Sequence, residues 1–109
     1  MIVMKKWGYE EILVDDEDYC CKLLNIHPKK KCSLHFHSIK KETFLVRSGL
    51  VRLEHGNQDE LLKPGESRTI MPETPHRFSS VHGAIILEVS THHSDEDVTR
   101  LEPSGEISR

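Results

Sequence analysis

The chain has little of what builds a covalently braced, membrane-bound or polyanion-binding protein. It carries three cysteines in 109 residues, an odd number, and Cys20 and Cys21 are adjacent, a spacing that rarely closes a ring. A disulfide framework is therefore not expected, and without a C-x-x-C pair neither is a cysteine zinc site or dithiol exchange. Reduced thiols packed as small apolar groups are expected instead. No apolar run reaches the roughly 18 residues of a membrane-spanning helix. The opening Met1-Ile2-Val3-Met4-Lys5-Lys6 lacks the basic-then-apolar order of a signal peptide, so a cytoplasmic protein with no membrane partner is expected. An excess of positive charge is missing too: 15 Lys+Arg against 18 Asp+Glu give a formal charge of −3, which argues against nucleic acid as a partner. The one basic run, Lys29-Lys30-Lys31, reads as a solvated turn. At this length there is room for a single domain, expected over residues 1–109 with a core at about 5–91 and a tail from 92.

Helical periodicity is absent before residue 94, and short apolar stretches punctuated by turn signals take its place. Residues 9–14 and 19–27 read as strands either side of the acidic turn Asp15-Asp16-Glu17-Asp18. Cys32 to His37 alternates, which puts His35 and His37 on one face and Leu34 and Phe36 on the other. Residues 42–47 and 50–54 flank Ser48-Gly49, and Gly56 to Asp59 is a second polar turn before Glu60-Leu61-Leu62; together they predict an antiparallel meander. Strands at 67–71, 76–80 and 84–90 follow, separated by Pro- and Gly-containing turns. The recurrence of turns every 8–12 residues or so predicts an all-β sandwich or barrel. Beyond it, Ser94 to Glu102 predicts a short helical turn capped by Ser94 and stopped at Pro103, with mobile residues after it.

Histidine is what the chain has in abundance, eight in all, and it is both the commonest metal ligand and the side chain that titrates near neutrality. His35-x-His37, Glu42 and His76 form the informative set. A strand holds His35 and His37 about 7 Å apart on one face, within reach of one ion, and Glu42 and His76 from neighbouring strands complete the ligands. Three imidazoles and a carboxylate leave up to two positions open on an octahedral ion, an arrangement for binding substrate. One divalent transition metal is expected, and zinc, manganese, nickel and iron all suit the set. His55, His82, His92 and His93 lie in turns or the tail and are expected to be solvated.

The stretch His35-Phe36-His37 through Glu42 to Gly49, with Gly65, Pro72, Pro75 and His76 further on, resembles the two motifs of the cupin superfamily. Lys29 stands where cupins usually have a turn glycine, and Ser80 where the second motif often has Asn. The resemblance implies a double-stranded β-helix, the jelly-roll barrel. Trp7-Gly8-Tyr9, Tyr19-x-x-Lys22, Pro72 to Phe78, Glu88-Val89-Ser90 and Asp95 to Glu102 are similar to the mannose-6-phosphate isomerase domain of bifunctional type II enzymes and to short D-lyxose isomerase-like cupins. This implies a metal-dependent aldose–ketose isomerase acting on a sugar or sugar phosphate, and a homodimer paired through edge strands. Type II domains tend to have Gln at the position of His35 and Arg at that of Lys40. Lys there loses the bidentate recognition a guanidinium offers.

Isomerisation needs a side chain to move a proton between adjacent carbons, and Lys22, Lys40 and Glu88 are the candidates. Each also has a solvated reading: Lys22 outward on its strand, Lys40 at a strand end near the pocket mouth, Glu88 facing water by alternation. Trp7 is expected to pin the N-terminal strand, Arg47 and Arg77 to face outward, and Phe78 to lie beneath the metal. Two other functions are compatible with the same ligands. One is a non-haem iron dioxygenase; the other is a non-catalytic sugar-binding module.

Overall fold

The computed structural model describes residues 1–108. Alternation in the sequence becomes two facing antiparallel sheets. One has the order β1 (Ile2–Lys5), β2 (Gly8–Asp15), β3 (Tyr19–Ile26), β11 (Ala84–Thr91), β6 (Glu42–Gly49), β9 (Ser67–Ile70). In the other, β10 (His76–Ser80) pairs on one side with β7 (Val51–His55), which continues to β8 (Gln58–Leu62). On its other side β10 pairs with β4 (Lys30–Lys31) and β5 (Leu34–Phe36), and these are flanked by β13 (Gly105–Glu106) and β12 (Thr99–Glu102). The strand hydrogen bonds leave two open layers rather than one closed ring. This is the jelly-roll architecture expected.

Period-2 burial decides what fills the space between the sheets. Along β3 the inward positions are Cys20, Lys22, Leu24 and Ile26; along β6 they are Glu42, Phe44 and Val46; along β11, Ala84, Ile86, Glu88 and Ser90. Pairing brings Glu88 opposite Lys22 and Phe44, and Ile86 opposite Leu24 and Val46. The interior is thus divided along the strands into an apolar end and a polar end. Leu24, Val46, Leu53, Leu62 and Ile86 fill the apolar end at no more than 2% exposure, each worth about 1.5–3 kcal/mol of burial. Phe78 separates the two, with its ring 5.0 Å from Trp7 and 5.9 Å from Phe44. As expected, Trp7 is buried against the core and Phe78 lies inside. Cys20 and Cys32 are buried free thiols.

Several expectations are corrected. Residues 42–54 do not form a meander. Gly49, at φ +76°, turns the chain out of the first sheet, so β6 pairs with β11 and β9 while β7 joins the second sheet. A Cβ at Gly49 would sit 2.3 Å from the Gly83 carbonyl oxygen, which reserves the position for glycine. The run 29–31 is not all turn, because Lys30 and Lys31 form β4. Lys29 takes a left-handed φ of +64°, the conformation for which glycine is favoured. The segment after Ser94 is not helical: only a turn forms, with Asp97 N donating to Ser94 O. β12 and β13 then pair along β5 and β4, so residues 92–108 belong to the fold. Arg77 does face away from the interior, yet it is buried under this segment, donating to Cys32 O, Glu102 and Pro103 O. These partners are remote in sequence, which is why local pattern does not reveal them.

Candidate metal centre

Three imidazoles meet at the polar end of the interior. His35 on β5 lies directly across from His76 at the start of β10, and His37 follows β5 by one residue. Ring centroids are 4.5 Å apart for His35 and His76, 5.1 Å for His35 and His37, and 5.6 Å for His37 and His76. Each Nδ1 is occupied by a backbone carbonyl: His35 donates to Ser33 O at 2.8 Å, His37 to Asp97 O at 2.7 Å, and His76 to Thr74 O at 2.8 Å. A carbonyl can only accept, so the Nδ1 proton is fixed and each Nε2 is left to face the others. Such outer bonds orient the imidazoles of metal sites. The three rings offer ligand atoms within 4.8 Å of one another.

Glu42, the first residue of β6, reaches the same point. Its Oε2 is 3.2 Å from His37 Nε2 and 3.2 Å from His76 Nε2. With the Nδ1 protons committed, these are approaches of lone pair to lone pair, and Glu42 Oε2 and His76 Nε2 are buried without a hydrogen-bond partner. Each such orphan costs about 1–3 kcal/mol. A cation at their centre would relieve both. Atoms bonded to one ion at about 2.1–2.2 Å stand roughly 3.0–3.6 Å apart on neighbouring corners of an octahedron or tetrahedron, which brackets the 3.2 Å contacts. The donor set fits a divalent transition metal.

Electrostatics agree with that fit. Burial and the neighbouring imidazole of His76 push His35 down to about 4. Burial also works against charge on His37, but the Glu42 carboxylate outweighs it and raises the ring above its ordinary value. Burial acts to raise Glu42, and the imidazoles of His37 and His76 together with the Lys40 ammonium override it, holding the carboxyl well below its usual range. Without an ion, a shared proton is the available means of satisfying this cluster.

Lys22, Lys40 and Glu88 all face inward, each under 5% exposed, so none takes its solvated reading. Lys40 lies in the turn just before β6 and is buried in the cavity wall. Its Nζ is 2.8 Å from Glu88 Oε2 and 3.8 Å from Glu42 Oε1. The approach to Glu88 is angled too poorly for a hydrogen bond and is an ion pair. Burial disfavours the Lys40 charge, but the carboxylates of Glu88 and Glu42 more than compensate and raise its pKa. Lys22 Nζ is 3.7 Å from Glu10 Oε1. All three residues line one cavity of about 780 Å³ with His35, His37 and Glu42, a volume in the range of small-molecule sites.

The cavity also holds residues the sequence did not single out. Glu10 partners Lys22, and its stretch of β2 does not alternate, so the sequence carried no signal for it. His93, expected to be solvated, is half-buried at the cavity with Nδ1 3.3 Å from Lys40 Nζ and Nε2 2.9 Å from Asp95. His55 is half-buried too, tied to Glu60 at 2.7 Å. His82 and His92 are exposed, as expected.

Comparisons with known proteins accord with this geometry. A D-lyxose/D-mannose isomerase of Thermosediminibacter oceani is 32% identical over 84% of this chain and 66% of its own length. A D-lyxose ketol-isomerase of Thermofilum sp. is 30% identical over 94% and 73%. The mannose-1-phosphate guanylyltransferase RfbM of Salmonella typhimurium is 24% identical over 98% of this chain, which spans only 23% of that enzyme. Among solved structures, oxalate decarboxylase from Bacillus subtilis superimposes with TM-score 0.82 at 18% identity, over 93% of this chain and 30% of that one. A protein from Klebsiella pneumoniae described as having a double-stranded β-helix domain does so with TM-score 0.73 at 21%, over 85% and 83%. These two speak for the cupin fold alone. The family model for the mannose-6-phosphate isomerase C-terminal region matches residues 1–103, a span that runs from β1 to the carbonyl clamped by Arg77. Every residue of the metal centre and its cavity wall named above falls inside that match, and the chain accordingly belongs to the mannose-6-phosphate isomerase C-terminal family of cupins.

Proposed function

We propose that this protein is a metal-dependent aldose–ketose isomerase acting on a small sugar or sugar phosphate. The observation that carries the reading is the convergence of His35, His37, His76 and Glu42 at one buried point in the wall of a cavity that also holds the Lys40–Glu88 pair. The four side chains would hold one divalent transition metal, of which zinc, manganese, nickel and iron are the candidates. When bound, the metal supplies Lewis acidity toward the carbonyl and adjacent hydroxyl oxygens of a sugar.

The remaining chemistry belongs to side chains. Glu88 is the proton shuttle: its carboxylate takes the proton from the carbon beside the carbonyl and returns it to the former carbonyl carbon, while the hydroxyl proton passes between the two substrate oxygens. Lys40 holds the Glu88 side chain in place through their ion pair and donates to a substrate oxygen. Lys22, held by Glu10, binds hydroxyls along the opposite stretch of wall. The reading extends to assembly. β1 is the outer edge of its sheet, with Met1, Ile2 and Met4 exposed, and pairing with a second copy would cover that edge.

The test is elemental analysis of protein purified without added metal or a His tag, beside His35→Ala and Glu42→Ala, followed by assays on D-lyxose, D-mannose and mannose 6-phosphate. About one equivalent of metal, lost in both variants, with isomerisation that follows metal content, is expected. Failure to take up metal on reconstitution would end the mechanism. A loaded protein that consumes oxygen and isomerises nothing would end the isomerase assignment.

A further inference from the structure

The turn that joins the two metal-bearing strands is organised by a residue sixty positions away. Between β5 and β6 the chain runs His37-Ser38-Ile39-Lys40 with Ser38 and Ile39 exposed and no strand partner. Its amides converge on one carboxylate. Asp97 Oδ1 accepts from Ser38 N at 2.8 Å and Ile39 N at 3.2 Å, while Oδ2 accepts from Ile39 N at 3.2 Å and Lys40 N at 3.0 Å. Successive amides turned to one side form a concavity suited to an anion, and here the chain supplies its own. The backbone of Asp97 acts in the same place, its carbonyl taking the Nδ1 proton of His37 at 2.7 Å.

We propose that Asp97 is a positioning residue of this site: its carboxylate sets the turn that aims Lys40, while its carbonyl sets the ring that carries His37 Nε2. Asp97 lines neither the cavity nor the metal point; it acts through residues that do. It is itself held on both sides. The turn bond to Ser94 O precedes it, and the pairing of Thr99 with Phe36 follows. A hydrogen bond to the outer nitrogen of a metal-binding imidazole typically changes metal affinity by about 10–100-fold, and charged acceptors hold amides more strongly than neutral ones. The carboxylate therefore has more to contribute than an amide in its place.

The inference rests on the isomerase reading only for its kinetic readout, so the primary measurements are made without substrate. Asp97→Ala, Asp97→Asn and the control Glu96→Ala would be compared with wild type by nitrogen-15 NMR of the metal-free protein and by competition of each against a chelator for zinc and manganese. In wild type the Ser38, Ile39 and Lys40 amide protons should lie downfield, and the His37 Nδ1 proton should be slow to exchange in its bond to Asp97 O. In Asp97→Ala those amide shifts should collapse, the His37 Nδ1 proton should exchange faster, and metal affinity should fall about 10–100-fold. Asp97→Asn should fall less, and Glu96→Ala, on an exposed residue of the same turn, should match wild type. Where isomerase activity is present, the drop for Asp97→Ala should appear in kcat more than in KM. If Asp97→Ala does not fold, Asp97→Asn alone decides: wild-type amide shifts and metal affinity in it overturn the proposal. Equal losses in Glu96→Ala and Asp97→Ala also overturn it, since the effect would then be general loosening of the tail. Metal binding that depends on Asp97 in a protein with no isomerase activity would retain this inference and reject the proposed function.

Discussion

Removing Lys40 should destabilise the metal-free protein more than neutralising the carboxylate it faces. The reason lies in how three buried charges share one another. Lys40 and Glu88 side chains are 3% and 6% exposed and their charged atoms are 2.8 Å apart, a gross attraction of about 6 kcal/mol at an effective dielectric constant near 20. Most of that offsets the desolvation of the two groups, so the net worth of the pair is small while the loss of one member is large. Lys40→Met strands Glu88 without a cation, leaves Glu42 with the His37 and His76 imidazoles alone, and should cost about 3–5 kcal/mol. Glu88→Gln leaves Lys40 with Glu42 at 3.8 Å and should cost only about 1–2 kcal/mol. The double variant should fall short of the sum of the singles by about 1.5–3 kcal/mol. Urea unfolding of chelator-treated protein would measure all four species. The signal would come from Trp7, the single tryptophan, whose ring abuts Phe78 in the core. Additivity within about 0.5 kcal/mol would refute the coupling, and Glu88→Gln costing as much as Lys40→Met would refute the sharing of Lys40 between two carboxylates.

Two further outcomes follow from backbone strain and from burial. Lys29 at φ +64° carries about 1–2 kcal/mol of left-handed strain, against roughly 0.5–1 kcal/mol of extra chain entropy lost by a glycine. Lys29→Gly should thus raise the urea midpoint by up to about 1 kcal/mol equivalent, and a clear decrease would contradict the strain argument. Burial pushes the Cys32 thiol up from 9.0 to about 12. The unfolded chain therefore releases this proton first as pH rises, so the thiol's contribution to stability is complete below pH 9 and declines from there toward 12. Wild type should lose roughly 2 kcal/mol more than Cys32→Ala between about pH 8 and 10.5; parallel profiles for the two would rule this out.

What was legible in the sequence is what period 2 and short spacing encode. Strands β2, β3, β5 and β8 to β11 are where alternation and turn residues put them, because half-buried strands write their faces into consecutive residues. The convergence of the three imidazoles was legible for the same reason, since His35 and His37 share a strand face and His76 opens a strand. What was hidden depends on partners far along the chain. Nothing near His93 marks it as a cavity residue; the fold-back of the tail does that. The separation of β6 from β7 goes with the backbone angle of Gly49 and with partners far along the chain, and the sequence context of Ser48-Gly49-Leu50 suits a hairpin equally well. The tail reads as a helical turn because Ser94 and the following acidic residues favour a cap, but three amides on Asp97 and a strand edge on β5 offer more bonds than one helical turn would.

The tie between His37 and Asp97 also orders events during synthesis. A nascent chain that has emerged as far as His76 already contains all four candidate ligands, yet lacks the carbonyl that orients His37 and the strand that flanks β5. Until residues 97–102 arrive, that ring is free to turn and the 37–40 turn has no anchor. A metal met early would therefore encounter a loose set of donors, and the preorganised cluster comes into being only with the last strands. Loading of any metal this site takes would in this way fall late in the life of the folding chain, after the long-range pairings that are slowest to form.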